Sequence, residues 1–219
     1  REFNELSANM QVSSANIFVD LVAAFYRVLR PLCAHVADYQ SDQAVAALFK
    51  MHDLPQNSLH ELAEQLHQDS TLKEAGVPVF LEELIGELHS DTWFASPGLS
   101  TVVATSRGTR PGDPFADILY NFVAAKVLRG VNATLLEKGL TVTVAWDGCR
   151  SLNRQAHAEA QVISDVTWVD DVAFLLCDKD PSLLVDNVSL LMGVVYDHFA
   201  SFGMKVNLAP SKTEAIIAF

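Results

Sequence analysis

The chain has 219 residues, 50% of them hydrophobic, and carries 15 Lys+Arg against 27 Asp+Glu for a net charge of −12. That length supports one large domain or a domain with an appendage, the apolar content excludes disorder over most of it, and the acidic balance sits badly with a protein that grips nucleic acid by bulk charge. Cys33, Cys149 and Cys177 are too few and too widely spaced for a disulfide framework or a zinc knuckle, and suit a reducing, intracellular compartment. No uninterrupted apolar run approaches the roughly 18 residues of a membrane span, and the opening REFNELSANM has neither a signal peptide's apolar segment nor an initiator methionine, so the chain reads as part of a longer protein.

Taken in order, the first element is a strand, ANIFVD at 15–20, ending on Asp20. Residues Ala23 to Cys33 suit a helix whose end Pro31 must cap or bend, because proline breaks a helix interior. Three more helices are expected near 41–51, 57–69 and 80–89, divided by Pro55 and by Gly76 with Pro78. Together they form a helical insert over about 39–90, whose acidic stretches ELAEQLHQD and LEELIGELHSD suggest charged helix surfaces. His60 and His67 lie seven apart on it without a zinc-site spacing and read as surface residues.

Beyond the insert, TWFAS at 92–96 and STVVATS at 100–106 read as strands joined across Pro97-Gly98. After the loop SRGTRPGDP, a long helix is expected to start near Asp113 or Pro114 and to run to Gly130. A strand LTVTVAW at 140–146 follows. The segment VTWVDDVAFLLC at 166–177 reads as a hairpin, with Asp170 and Asp171 between two runs of β-branched and aromatic residues. Then PSLLVDNVSLLMGVVYDHFASFG is an amphipathic helix closed by Gly203, and MKVNL and EAIIAF read as a last pair of strands. The pattern is an α+β domain, a sheet backed by helices on one face.

Two adjacent carboxylates at a strand turn ask for a cation, and a fold that paired this hairpin with the strand ending at Asp20 would bring three together. Oxygen donors of that kind suit Mg²⁺, and a two-ion site clamps the attacking and leaving oxygens of phosphoryl transfer.

The segments IFVDLVAAFYRV (17–28), RGTRPGDPFADILYNF (107–122), WVDD (168–171) and GMKVNLAPSKTE (203–214) stand in an order and rough spacing that resemble the palm motifs of reverse transcriptases, particularly those of retrotransposons without long terminal repeats and of group II introns. The resemblance implies a polymerase palm, a ferredoxin-like antiparallel sheet backed by helices, with palm core at 15–35 and 92–219, and with fingers and thumb largely missing from residues 1–219. It implies an RNA-directed DNA polymerase that uses two Mg²⁺ ions, with Mn²⁺ as a substitute, to join dNTPs to the 3′-hydroxyl of a DNA primer on an RNA template. In a eukaryotic retroelement the compartment would be the nucleus, with no membrane partner.

Asp20 and Asp170 inherit the roles of the two main metal ligands, and Asp171 that of their weaker companion. Lys212 matches the lysine that protonates the leaving pyrophosphate. Phe25, five positions after Asp20, matches the aromatic gate that rejects a ribose 2′-hydroxyl. Arg110, Gly112 and Asp113 fall in the loop before a helix N-terminus, where backbone N–H groups favour phosphate. The chain departs from the family at Pro111, where glutamine is usual and where proline has no donor to offer, and at Trp168, where tyrosine or phenylalanine is usual. A catalytically inactive relic or RNA-binding scaffold that keeps the palm fold is the alternative that Pro111 favours; a nucleotide cyclase, which also carries paired acids on a hairpin, is the third.

Overall fold

The computed structural model describes residues 2–34, 56–98, 100–109, 115–146 and 159–219. The described helices are α1 (Glu2–Asn9), α2 (Ala24–Arg27), α3 (Arg30–Cys33), α4 (Gln56–His67), α5 (Thr71–Glu74), α6 (Val79–His89), α7 (Ala116–Glu137) and α8 (Pro181–Ser201). The strands are β1 (Ser13–Val19), β2 (Thr92–Phe94), β3 (Val103–Thr105), β4 (Val142–Trp146), β5 (Glu159–Ile163), β6 (Asp165–Trp168), β7 (Asp171–Asp178) and β8 (Glu214–Ala218). The architecture is α+β, with every strand pair antiparallel. Two compact units divide the chain: residues 1–20, 129–196 and 206–219 form one, and residues 21–128 and 197–205 the other.

The first unit is built on a four-stranded sheet in the order β6-β7-β1-β8, with β4 and β5 paired separately. Ala15, Ile17 and Val19 of β1 are buried and alternate with Asn16 and the exposed Phe18, which is the period-2 pattern of a strand with one face covered. Further from Asp20, the other face is also covered, because Leu175 packs with Phe3 of α1 and with Val142 and Val144 of β4. The terminal helix α1 has only Phe3 and Leu6 as large apolar residues and gave no sequence signal; Asn16 Nδ2 donates to Asn4 Oδ1 at 2.6 Å beside it.

The second unit contains the described part of the insert, α4 to α6, and the β2–β3 hairpin, which pairs Thr92 with Thr105. Its polar centre is Arg30, 3% exposed. The guanidinium donates from Nε to Gly108 O (3.1 Å), from Nη1 to His89 O (2.8 Å), Thr92 Oγ1 (2.7 Å) and Thr105 O (2.9 Å), and from Nη2 to Thr105 Oγ1 and Arg107 O (both 3.1 Å). One side chain thus ties α3 to the end of α6, to both strands of the hairpin and to the loop after it. A second polar pin is Lys126, which reaches Glu74 Oε1 at 2.6 Å and Gln68 Oε1 at 3.2 Å. The exposed side of α6 carries Glu83 and Glu87, as its sequence suggests, but also Val79, Phe80, Leu81, Leu84 and Leu88, while Glu82 is buried and accepts from Ser70 Oγ at 2.5 Å.

Several boundaries differ from the sequence reading. The expected helix over Ala23–Cys33 is two short ones, because Val28 and Leu29 are extended and Pro31 sits in the first turn of α3, where its missing N–H costs nothing. Helix α7 does not stop at Gly130. Buried Val127, Val131 and Leu135 carry its apolar stripe past that residue, and one interior glycine costs only about 1 kcal/mol. The stop is Gly139 (φ 69°), after which Leu140 N donates to Leu135 O at 2.8 Å, a Schellman closure. Gly203 (φ 75°) does close α8 in this way, with Met204 N donating to Phe199 O at 2.9 Å. MKVNL is not a strand; EAIIAF pairs instead with β1, and β5 was not foreseen. Among the described residues, α8 alone is long and apolar enough to cross a membrane by length and composition, at mean hydropathy 1.2; Leu184, Leu191, Val195 and Phe199 are fully buried along it.

Arg30→Met removes the common donor of four carbonyls and two hydroxyls. It is expected to destabilise the protein by about 3–5 kcal/mol, read as a lower urea midpoint. Cys33 lies beside Arg30, and burial pushes its thiol up to about 12 despite the guanidinium, which pulls the other way. Iodoacetamide at pH 8 should therefore leave Cys33 unmodified in the native chain and alkylate it in urea, as mass spectrometry of the digested protein would show.

Candidate active site

Strand β1 is hydrogen-bonded on both edges. On one side Val19 pairs with Val172 and Phe18 with Ala173 of β7; on the other Phe18 pairs with Glu214 of β8. The β1–β7 ladder ends at Val19 opposite Val172, and Asp20 and Asp171 are the neighbouring residues of that last pair. The β6–β7 pairing ends at Trp168 opposite Asp171, so Val169 and Asp170 form the two-residue turn of the expected hairpin. The topology therefore brings Asp20, Asp170 and Asp171 to one end of two adjacent strands. Asp20 is half-buried and Asp171 exposed, and Trp168 beside them is 80% exposed.

Asp20 is held from the segment between α8 and β8. Asn207 N donates to Asp20 O at 2.8 Å, and Asn207 Nδ2 donates to Asp20 Oδ2 at 2.7 Å. Asp20 N donates to Thr213 Oγ1 at 3.1 Å, and that hydroxyl lies 3.3 Å from Asp20 O. Lys212 Nζ stands 3.8 Å from Asp20 Oδ1, both side chains being partly exposed. The loop is internally braced, since Thr213 N donates to Asn207 O at 3.1 Å and Ala209 N to Asn207 Oδ1 at 3.3 Å. Lys212 was legible from the sequence. Asn207 and Thr213 were not singled out, although both lie in the quoted segment; their spacing of one strand-end loop from a β-strand was the available signal.

Five described non-glycine residues take positive φ: Gln11, Ala23, Asp91, Val169 and Ser211. Val169 adopts φ 58° and Ser211 φ 64°, each immediately preceding one of the site residues, Asp170 and Lys212. A left-handed conformation is a true outlier for a β-branched side chain and costs about 1–3 kcal/mol, persisting only where the surroundings enforce it.

Phe25 and the loop after β3 belong to the second unit, and there they meet. Thr109 N donates to Phe25 O at 2.9 Å and Gly108 N to Val28 O at 2.8 Å. Gly108 (φ 85°) has no room for a side chain: a Cβ would come within 3.1 Å of Tyr26 Cα and 3.2 Å of Phe25 O. The Phe25 ring lies 4.5 Å from that of Tyr120, tilted by 36°, so it packs on α7 as a half-buried aromatic. Arg110, Gly112 and Asp113, together with Pro111, lie outside the described residues.

Chemically, Asp20, Asp170 and Asp171 are hard oxygen donors of the type Mg²⁺ takes. Among the described residues, no three His, Cys, Asp or Glu side chains are gathered closely enough to hold a metal ion. Asp20 Oδ1 lies near the Lys212 ammonium, and Oδ2 is bonded to Asn207. No family model matches the chain, and no curated protein is similar to it.

Val169→Asn places at the turn a residue that tolerates φ 58°. It is expected to stabilise the protein by about 1 kcal/mol, or about 2–4 °C in Tm by calorimetry.

Proposed function

We propose that this chain is the palm of an RNA-directed DNA polymerase, joining deoxynucleotides to the 3′-hydroxyl of a primer on an RNA template. The observation that supports the reading most is the β1–β7 register: residues 150 positions apart in the sequence, Asp20 and the Asp170–Asp171 pair, share one strand end. A nucleotide polymerase needs an anionic site of this kind because its attacking hydroxyl must be deprotonated and its leaving group is polyanionic. Divalent cations held by Asp20, Asp170 and Asp171 would supply the charge neutralisation for both.

The chain's own groups divide the remaining work. Asp20, held by Thr213 Oγ1 and Asn207 N of the loop before β8 through its backbone N–H and C=O, positions one carboxylate. Asp170 sits in the two-residue turn between β6 and β7, directly after Val169. Lys212 carries an ammonium within 3.8 Å of Asp20 Oδ1, on a short loop next to the site, and can deliver a proton to a departing pyrophosphate oxygen. Phe25, the counterpart of the aromatic gate in the resemblance, packs on Tyr120 within the second unit.

A second reading, a non-catalytic scaffold with the same fold, is favoured by the spread of the three acids, none of which closes with the other two around an ion as they stand. Primer extension separates the two. With an RNA template, a DNA primer, dNTPs and Mg²⁺ or Mn²⁺, the protein in its full reading frame is expected to extend the primer, and Asp20→Asn or Asp170→Asn to reduce extension by on the order of 10³-fold. Absence of extension with either metal by a folded, full-frame protein would favour the scaffold.

A further inference from the structure

We propose that the outward face of α6 docks an amphipathic helix of a partner protein, one whose apolar stripe is flanked by lysine or arginine. Residues four apart stack in rows along a helix, and two such rows face outward here. One is Phe80, Leu84 and Leu88, all exposed, Phe80 at 71%; the row beside it is Val79, Glu83 and Glu87, exposed as well. Monomeric proteins rarely leave a continuous apolar ridge of this kind open to water, and a row of side chains four apart is what fits the groove of a second helix.

The ridge cannot be covered by turning α6 about its own axis, because the inward face is polar and already engaged. Buried Glu82 accepts from Ser70 Oγ at 2.5 Å, and the His89 carbonyl, at the end of the helix, accepts from Arg30 Nη1 at 2.8 Å. A rotation that buried Phe80 and Leu84 would break the Glu82 bond and carry that carboxylate away from its partner. The apolar row therefore stays outward.

Charge names the occupant. No Lys or Arg occurs over residues 75–106, whereas Glu82, Glu83, Glu87 and Asp91 do. Lys73, shortly before the helix, is held by Asp69 at 2.7 Å. Among the described residues, no cation pairs with Glu83 or Glu87. A second copy of this face would bring like charges together, and nucleic acid or an anionic lipid surface would be repelled by the same carboxylates. A helix with Lys or Arg beside its apolar stripe gains at both rows.

The test is fluorescence anisotropy of the full chain with a labelled synthetic helix of about 18 residues, a leucine stripe flanked by lysines, and with a twin that has glutamate for each lysine. The lysine peptide is expected to bind. Leu84→Asp is expected to weaken that binding at least about 10-fold, although it makes the chain more acidic, and to leave Tm unchanged because Leu84 is exposed. Glu83→Lys combined with Glu87→Lys is expected to weaken the lysine peptide about 10-fold and to tighten the glutamate twin, a reversal that bulk attraction to a chain of net charge −12 does not produce. Phe80→Ser, on the same row, reads the ridge if Leu84→Asp does not fold. No measurable binding of the lysine peptide, unchanged affinity in Leu84→Asp, or a preference that survives the double exchange overturns the proposal. So does a wild-type dimer in sedimentation that Leu84→Asp dissolves, which makes a second copy the occupant, or flotation with phosphatidylglycerol vesicles that Leu84→Asp abolishes, which makes a membrane the occupant.

Discussion

The register between β1 and β7 is the constraint on which the first unit and its candidate site depend. Side chains alternate along a strand with period 2, so a slip of one residue would turn Ala15, Ile17 and Val19 out to solvent and drive Asn16 and Phe18 inward. The cost of exposing three buried apolar side chains and burying an amide makes that slip prohibitive, and the same register that sets Ile17 opposite Phe174 brings the strand ends next to Asp20 and Asp171 together at Val19 and Val172. The site therefore inherits its geometry from the core. Pairing with β8 on the other edge reinforces this, since β1 can neither slide nor peel without breaking two ladders.

Asn207 and Thr213 extend this logic beyond the end of the ladder. Asp20 lies one residue past the last β1 pair, where its N–H and C=O would otherwise be left to water. Thr213 Oγ1 and Asn207 N take them at 3.1 and 2.8 Å, so the strand's hydrogen bonding continues through side chains and a loop where regular pairing has stopped. A carboxylate at a frayed strand end would sample many positions; one whose own backbone is bonded on both sides does not. In the second unit, Arg30 plays the corresponding part, satisfying carbonyls of four residues in segments that present no regular ladder to one another.

What the sequence made legible was local. The hairpin at 166–177 announced itself because β-branched and aromatic runs flank a polar doublet, and the stop of α8 at Gly203 because only glycine takes φ 75° without strain. What stayed hidden was decided at long range. Gly130 reads as a helix stop until Val131 and Leu135 are seen to be buried beyond it. Arg30 looks like any surface arginine, since nothing adjacent to it reveals acceptors 59 to 78 residues away. The bond from Asn207 to Asp20 spans 187 residues, and MKVNL fails as a strand because Asn207 there turns to bond Asp20 on both backbone and side chain. Strand β5 carries no buried residue to mark it, its side chains being exposed or nearly so.

Left-handed backbone at non-glycine residues occurs along the described chain, at Gln11, Ala23 and Asp91 as well as at Val169 and Ser211. A turn of two residues between β6 and β7 could be built with asparagine or glycine, which take positive φ at little cost; the chain instead places a β-branched valine there at φ 58°, and a serine at φ 64° just before Lys212. Left-handed backbone at two non-glycine positions costs about 1–3 kcal/mol each, and stability alone would not select it. Val169 lies in the turn closed by the β6–β7 pairing, and Ser211 in the loop closed by the bond from Thr213 N to Asn207 O. Val169 immediately precedes Asp170 and Ser211 immediately precedes Lys212, whereas Asp20 is held through its own backbone N–H and C=O, so the regular ladder, a side-chain bond and two left-handed residues meet over a few positions of the first unit.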